Sequence, residues 1–217
     1  INIKDILNTI PKIKSVEGRF ERVGRIKNNS KVILDYAHTP DALKTCLKNI
    51  KEQFPGKKIT LVFGCGGNRD QNKRAKMGKI ADLFSDKIYL TNDNPRIEQP
   101  NKIRGDIKKG IKRQKIFEFP DRANAISEAI KHLNTGDILL VAGKGHERVQ
   151  EIGVKKTFFS DKKIILDAIK IKNLDLSNNL KFNIINELNG KQKISSKISF
   201  KKVKINSREI KKGEIFF

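Results

Sequence analysis

The chain has 217 residues, of which 37% are hydrophobic and 33% are charged, and its formal net charge is +23 at pH 7. A net positive charge of this size raises the question of nucleic-acid binding. The lysines are spread along the whole chain, however, and only 6% of the residues are aromatic. This distribution disfavours a nucleic-acid-binding protein, which concentrates its charge or presents stacking aromatics.

The cysteine content and the apolar runs limit the class of protein further. Cys46 and Cys65 are the only cysteines and form no CxxC pair, so neither a metal site nor a disulfide framework is predicted. No apolar run reaches the roughly 18 residues of a membrane span, and residues 1–5 lack a signal-peptide pattern. We therefore expect a cytoplasmic protein with no membrane span.

Five short apolar runs, each bounded by Gly, Pro, Asp or Asn, predict buried strands. They cover residues 32–34, 59–63, 88–90, 116–119 and 138–142. Segments with helical periodicity lie between them, at residues 41–53, 76–84, 100–111 and 122–133. This alternation predicts an α/β fold, with a Rossmann-like, mainly parallel sheet covered by helices on both faces.

Four polar motifs follow the first, second, third and fifth of these strands. They read Asp-Tyr-Ala-His-Thr-Pro at 35–40, Gly-Cys-Gly-Gly-Asn-Arg-Asp at 64–70, Asp-Asn-Pro-Arg at 93–96 and Gly-Lys-Gly-His-Glu at 143–147. The carboxyl ends of parallel strands meet at one edge of a sheet, where ligands bind in folds of this class. The sequence therefore predicts one composite site built from all four motifs.

In this order and spacing, the four motifs resemble the C-terminal domain of the Mur ligases of peptidoglycan synthesis, over residues 18–171. The specific match is to the branch that adds meso-diaminopimelate. The resemblance implies an ATP-dependent amide ligase that activates UDP-N-acetylmuramoyl-L-alanyl-D-glutamate as an acyl phosphate and joins it to meso-diaminopimelate. ATP and Mg²⁺ would be held mainly by a central domain, because the chain contains no GxxxxGK[ST] P-loop. These 217 residues alone are not expected to turn over.

The resemblance also implies roles for single residues. Arg69, Asp93, Asn94, Arg96, Gly143 and Glu147 would bind diaminopimelate, and Arg19, Asp35 and His38 would contact ATP. Arg96 is the predicted selectivity residue, since a planar guanidinium grips a carboxylate through two parallel hydrogen bonds and lysine lacks the second carboxylate of diaminopimelate. Glu147 would hold an ammonium group. The general base is not assigned.

The C-terminal part of the chain has a different pattern. Residues 172–179 are rich in Asn, Asp and Ser and predict a turn-favouring linker. Residues 180–217 predict a small, incomplete α+β segment. Within it, residues 205–217 resemble the opening of a Mur ligase N-terminal domain, in which Ser207 would contact UDP. Asn206 and Lys212 stand where the family has Asp and Pro, which weakens this match.

These segments together lead to an expectation about the parent protein. Residues 1–17 would be the tail of a central ATPase domain or a linker, and residues 180–217 the truncated start of a second ligase. We expect a fragment of a fusion of two consecutive Mur ligases, the second being the D-alanyl-D-alanine-adding enzyme.

Two other interpretations stay open. The alternating pattern and the glycines at 64, 66 and 67 allow a Rossmann-type dinucleotide-binding domain, although Arg69 replaces the third glycine of GxGxxG. The net charge alone allows a basic nucleic-acid-binding protein.

Overall fold

The computed structural model of the chain describes residues 2–9, 16–113, 116–188, 202–204 and 214–216. It forms two compact units, Ile1–Ile169 and Lys170–Phe217. The elements in chain order are α1 (Ile3–Thr9), β1 (Glu21–Arg22), β2 (Lys31–Asp35), α2 (Pro40–Gln53), β3 (Ile59–Phe63), α3 (Asn72–Phe84), β4 (Lys87–Thr91), α4 (Pro100–Lys108), β5 (Ile116–Phe119), α5 (Arg122–Lys131), β6 (Ile138–Ala142), β7 (Val149–Ile152), β8 (Lys155–Phe158), α6 (Asp161–Leu188), β9 (Lys202–Lys204) and β10 (Glu214–Phe216).

The central sheet has six strands in the order β1-β2-β6-β3-β4-β5. The pairs from β2 to β5 are parallel, and only the short β1 is antiparallel to its neighbour β2. The four strands that precede the polar motifs, β2, β6, β3 and β4, are therefore adjacent in the sheet. Their carboxyl ends bring the four motifs to the same edge, and the predicted α/β class is confirmed.

Helices cover both faces of this sheet. Apolar side chains of α2, α3 and α4 pack into one core cluster with Leu61, Phe63 and Leu140 of the sheet. Side chains alternate between the two faces of a strand, and α5 packs against β3, β4, β5 and β6 with its buried face of Ala125, Ile126, Ala129 and Ile130. Burial on both faces explains why every residue of β3 and β6 is buried and why all of them except Thr60 are apolar.

Two helices, α2 and α5, begin at residues whose side chains cap the first turn. The Thr39 hydroxyl accepts a hydrogen bond from Ala42 N at 3.3 Å, and Pro40 takes the first turn of α2. The Asp121 carboxylate accepts from Asn124 N at 2.7 Å at the start of α5. Both helices begin within one residue of the position predicted from the sequence.

The structure differs from the sequence predictions in several places. Helix α1, strand β1 and the first part of α6 were not predicted, and α3 begins at Asn72 instead of at residue 76. The β7–β8 hairpin was not predicted, and residues 172–179 lie within α6 instead of forming turns. The turn prediction for that stretch is wrong because it contains no Gly or Pro, and the Ser177 hydroxyl donates to Asn173 O at 2.7 Å inside the helix. In the part of the chain that the structure describes, no helix has the length and apolar character of a membrane span.

Candidate active-site cleft

An open cleft of about 460 Å³ lies at the carboxyl edge of the sheet, between β2, β3, β4 and β6. Every one of the four motifs contributes to its lining. Of the predicted site residues, His38, Arg69, Asp93, Asn94, Arg96, Gly143 and Glu147 line it. The structure thus brings together all six residues predicted to bind diaminopimelate, and their contacts with that ligand stay predictions.

Arg96 is held in the cleft by two neighbouring segments. Its Nε lies 2.8 Å from Glu151 Oε2, and its Nη1 donates to Gly67 O at 2.9 Å. Its backbone N donates to Glu151 O at 3.1 Å and its carbonyl accepts from Gly153 N at 2.7 Å, at a φ of 52°. The β7–β8 hairpin therefore supports the backbone of Arg96, while its side chain lines the cleft and remains 27% exposed.

Asn94 and Glu147 form a hydrogen-bonded pair across the cleft. Asn94 Nδ2 donates to Glu147 Oε2 at 3.1 Å, and the Tyr36 hydroxyl donates to Glu147 Oε1 at 3.3 Å. Lys144 Nζ lies 3.2 Å from Glu147 Oε2. Three motifs thus converge on one carboxylate, which stays one-third exposed at the cleft wall.

Asp93 is a buried carboxylate beside this network. Burial raises the pKa of Asp93 above its ordinary value, against the opposing charges of Arg122 and Lys144. Gly143 has a φ of 114°, and a Cβ at this position would lie 2.7 Å from Asp93 Oδ2. Gly143 therefore leaves the space that the Asp93 carboxylate occupies.

The glycine-rich loop after β3 packs against the Asp-Asn-Pro-Arg loop. Gly67 N donates to Asn94 O at 2.9 Å, and a Cβ on Gly67 would lie only 1.9 Å from Pro95 O. The missing side chain at Gly67 thus makes room for protein backbone, whereas the glycines of a dinucleotide-binding loop make room for a pyrophosphate. Arg69, exposed at the tip of this loop, lines the cleft.

The three residues predicted to contact ATP lie close to Tyr36, which lines the cleft. Asp35 Oδ1 accepts from Ala37 N and Oδ2 from Phe20 N, each at 2.7 Å, so both oxygens stabilise local backbone. His38 Nδ1 lies 2.9 Å from Tyr36 O, and Arg19 Cζ lies 4.4 Å from the Tyr36 ring centroid. Arg19 and Asp35 do not line the cleft in the described structure. The contacts with ATP stay predictions, and Ser207 lies outside the described residues.

Sequence reasoning missed three residues of this network: Tyr36, Lys144 and Glu151. Lysine is rarely buried, so nothing in the sequence predicts that Lys144 is fully enclosed. Glu151 contacts Arg96 because the β7–β8 hairpin folds over the loop. Gly153-Val154, between two short runs, is the two-residue turn pattern that could have identified the hairpin.

The cleft offers polar groups but no metal cluster or reactive thiol. Among the described residues, no group of three His, Cys, Asp or Glu side chains could hold a metal ion. Burial raises the pKa of Cys65, which lines the cleft, to about 12, and a thiol of that pKa is a poor nucleophile at neutral pH.

Residues 18–145 match the family model described as "Mur ligase, glutamate ligase domain". The chain belongs to the Mur ligase family. Mur ligases are ATP-dependent amide ligases that use ATP and Mg²⁺, and the matched region of this chain is their C-terminal domain. The family resemblance of the four motifs is thereby confirmed.

Two similar sequences and one similar solved structure are each named UDP-N-acetylmuramoyl-L-alanyl-D-glutamate--2,6-diaminopimelate ligase. That of Buchnera aphidicola subsp. Baizongia pistaciae is 47% identical over 176 residues, covering 81% of this chain and 34% of the relative. That of Rickettsia rickettsii is 46% identical over 170 residues, covering 77% and 34%. A solved structure of that name has a TM-score of 0.68 at 36% identity, over 79% of this chain and 35% of the other. This Mur ligase chain thus spans about a third of the length of its curated relatives.

Proposed function

We propose that this Mur ligase domain binds meso-diaminopimelate for an ATP-dependent ligase that adds it to UDP-N-acetylmuramoyl-L-alanyl-D-glutamate. The observation that carries the proposal is the position of the Arg96 guanidinium in the same cleft as the carboxylates of Asp93 and Glu147. The cleft lining holds both cationic side chains (Arg69, Lys73 and Arg96) and carboxyl side chains (Asp70, Asp93 and Glu147), which can complement the terminal carboxylate and ammonium of an amino acid. The similarity to ligases named for 2,6-diaminopimelate supports the same substrate.

Each lining group has a part in this proposal. Arg96 and Arg69 bind the distal carboxylate of meso-diaminopimelate, and Asp93 and Glu147 bind the distal ammonium group, with Asn94 and Gly143 completing the wall. This leaves the other amino group of the ligand to attack the activated carbonyl, forming the C–N bond as the C–O bond to phosphate breaks. ATP supplies the phosphoryl group for activation and Mg²⁺ neutralises its charge; Arg19, Asp35 and His38 form the side of this domain that faces ATP.

Calorimetric titration with meso-diaminopimelate and L-lysine tests this function, because the two ligands differ in the second carboxylate. We expect the chain to prefer meso-diaminopimelate, and Arg96→Ala to remove the preference. Arg113→Ala is the matched control, since Arg113 also pairs with a carboxylate, that of Asp82 at 3.4 Å, but does not line the cleft. Equal affinity for the two ligands, or an undiminished preference in Arg96→Ala, would contradict the proposal.

We propose in addition that the domain belongs to a fusion with a second Mur ligase. Residues 18–171 are the C-terminal domain, residues 1–17 the tail of a central ATPase domain, residues 172–179 the connection, and residues 180–217 the start of the second ligase, with Ser207 on the UDP side. The pattern of residues 205–217 supports this arrangement. The flanking coding sequence tests it: a Gly-Lys-Thr-Thr P-loop is expected on each side.

A further inference from the structure

We propose that Lys144 is a positioning residue for ammonium recognition: it fixes the side chains of Glu147 and Asn94 and does not itself contact the ligand. This inference rests on the proposed function and adds a residue that acts from behind the cleft wall.

Lys144 is fully buried, and its ammonium group donates hydrogen bonds to three acceptors of the protein. Nζ donates to Val149 O at 2.7 Å, to Asn94 Oδ1 at 2.9 Å and to Glu147 Oε2 at 3.2 Å. An ammonium group has three protons, so these three acceptors occupy all of them. Lys144 has no donor left for a ligand and can influence binding only through its neighbours.

The first neighbour is Glu147, whose two oxygens have different surroundings. Oε2 accepts from both Lys144 Nζ and Asn94 Nδ2, whereas Oε1 accepts from the Tyr36 hydroxyl alone, at the longer distance of 3.3 Å. Lys144 thus directs one oxygen into the protein and leaves Oε1 as the acceptor for a ligand ammonium. Removing the lysine would deprive a partly buried carboxylate of its cation, which is costly.

The second neighbour is Asn94, whose amide orientation follows from the lysine. Because an ammonium group only donates, the Asn94 oxygen must face Lys144, and the same oxygen accepts from Glu151 N at 3.1 Å. The Asn94 NH₂ group then faces Glu147. Lys144 therefore shares with Glu151 N the orientation of the Asn94 amide, and it also holds Glu147, so one buried cation links side chains from two different motif loops.

A double-mutant cycle with Lys144→Met and Glu147→Gln tests this inference by calorimetry. We expect Lys144→Met to weaken meso-diaminopimelate binding by about 10-fold or more, the usual scale for a lost charge-assisted hydrogen bond. In the Glu147→Gln background the same change should have a smaller effect, since the part of the lysine's influence that acts through that carboxylate is already lost. Heptanedioate, which has both carboxylates but no ammonium group, should bind wild type and Lys144→Met about equally. Losses that add in the double variant, or an unaffected Lys144→Met, would overturn the inference.

Two measurements separate positioning from a general loss of structure. Lys108→Met is the matched control, because Lys108 pairs with Glu118 at 2.6 Å outside the cleft, and it should leave binding unchanged. Lys144→Gln keeps two donors and should lose less affinity than Lys144→Met; the reverse order would contradict the inference.

The side-chain amide resonance of Asn94, recorded without ligand, should shift in Lys144→Met and not in Lys108→Met. An unshifted resonance would overturn the positioning role. This test needs no ligand, so it holds even if the chain shows no preference for meso-diaminopimelate over lysine. That lack of preference would instead count against the proposed function.

Discussion

Arg74 and Arg96 both donate hydrogen bonds to the glycine-rich loop, but they lie in very different environments. Arg74 Nη2 donates to Gly66 O at 3.4 Å, and Arg96 Nη1 donates to Gly67 O at 2.9 Å. Arg74 is fully enclosed and pairs with Glu98 at 2.9 Å and Asp106 at 3.2 Å. Arg96 has one carboxylate partner and remains 27% exposed.

This difference separates a structural arginine from one that can bind a ligand. The Arg74 cluster is closed: Glu98, which binds its Nη2, also accepts from Asn68 N, so the ion pair and the loop backbone form one unit. The Arg96 guanidinium faces open space, where a ligand carboxylate can approach it. The family resemblance assigned a role to Arg96 and none to Arg74, but no local sequence pattern predicts that one arginine is enclosed and the other is partly exposed.

The largest expected effect is from Arg74→Met, which tests the closed side of the comparison. Removing the guanidinium leaves Glu98 and Asp106 without their buried cation, and we expect the free energy of unfolding to fall by about 3 kcal/mol. Urea denaturation measures this. Arg113→Met, which breaks an ion pair with a 60% exposed arginine, should cost less than about 1 kcal/mol. Equal losses of unfolding free energy in Arg74→Met and Arg113→Met would contradict the distinction between an enclosed and an exposed arginine.

Gly67→Ala tests the contact between the two loops. A Cβ would lie 1.9 Å from Pro95 O, so the loops must separate, and we expect a loss of about 1–3 kcal/mol in unfolding free energy together with weaker meso-diaminopimelate binding. Gly105→Ala is the matched control, and for this variant we expect the unfolding free energy to rise instead of fall. Nothing lies within 4 Å of that Cβ in α4, and alanine should stabilise the helix by up to about 1 kcal/mol. Destabilisation by Gly105→Ala would contradict the expected difference between a glycine packed against backbone and a glycine with open space around it.

The sheet could be predicted from sequence because strands buried on both faces are mostly apolar runs, as in β6 and, apart from Thr60, in β3. The edge of the sheet that carries the site could be predicted from the polar residues that follow those strands. The β7–β8 hairpin could not be predicted in this way, because Val149–Ile152 mixes exposed apolar and buried polar residues. The partners of Arg96 and Glu147 were therefore missed, since Glu151 and Lys144 reach them through loop packing that has no periodic pattern in the sequence.

Asp93→Asn is expected to stabilise the fold at neutral pH while weakening ligand binding. Burial raises the pKa of Asp93 in the folded state, so its stabilising contribution is present below the ordinary Asp value of about 3.9 and is lost as pH rises through the raised value. Asparagine removes the cost of the buried charge. Urea denaturation between about pH 4 and pH 7 should show the gain shrinking as pH falls. A gain that grows toward low pH would contradict the assigned direction.

The smallest effect on stability is expected from Arg96→Ala, which tests the open side of the comparison. Its pair with Glu151 is partly exposed, and Glu151 keeps a second partner, Lys156, at 3.2 Å. We therefore expect the unfolding free energy to change by less than about 1 kcal/mol, while selectivity for meso-diaminopimelate over lysine is lost. Parallel urea denaturation and calorimetry of Arg96→Ala and Arg74→Met check this. A loss of stability in Arg96→Ala as large as in Arg74→Met would mean that Arg96, too, serves mainly to hold the loop.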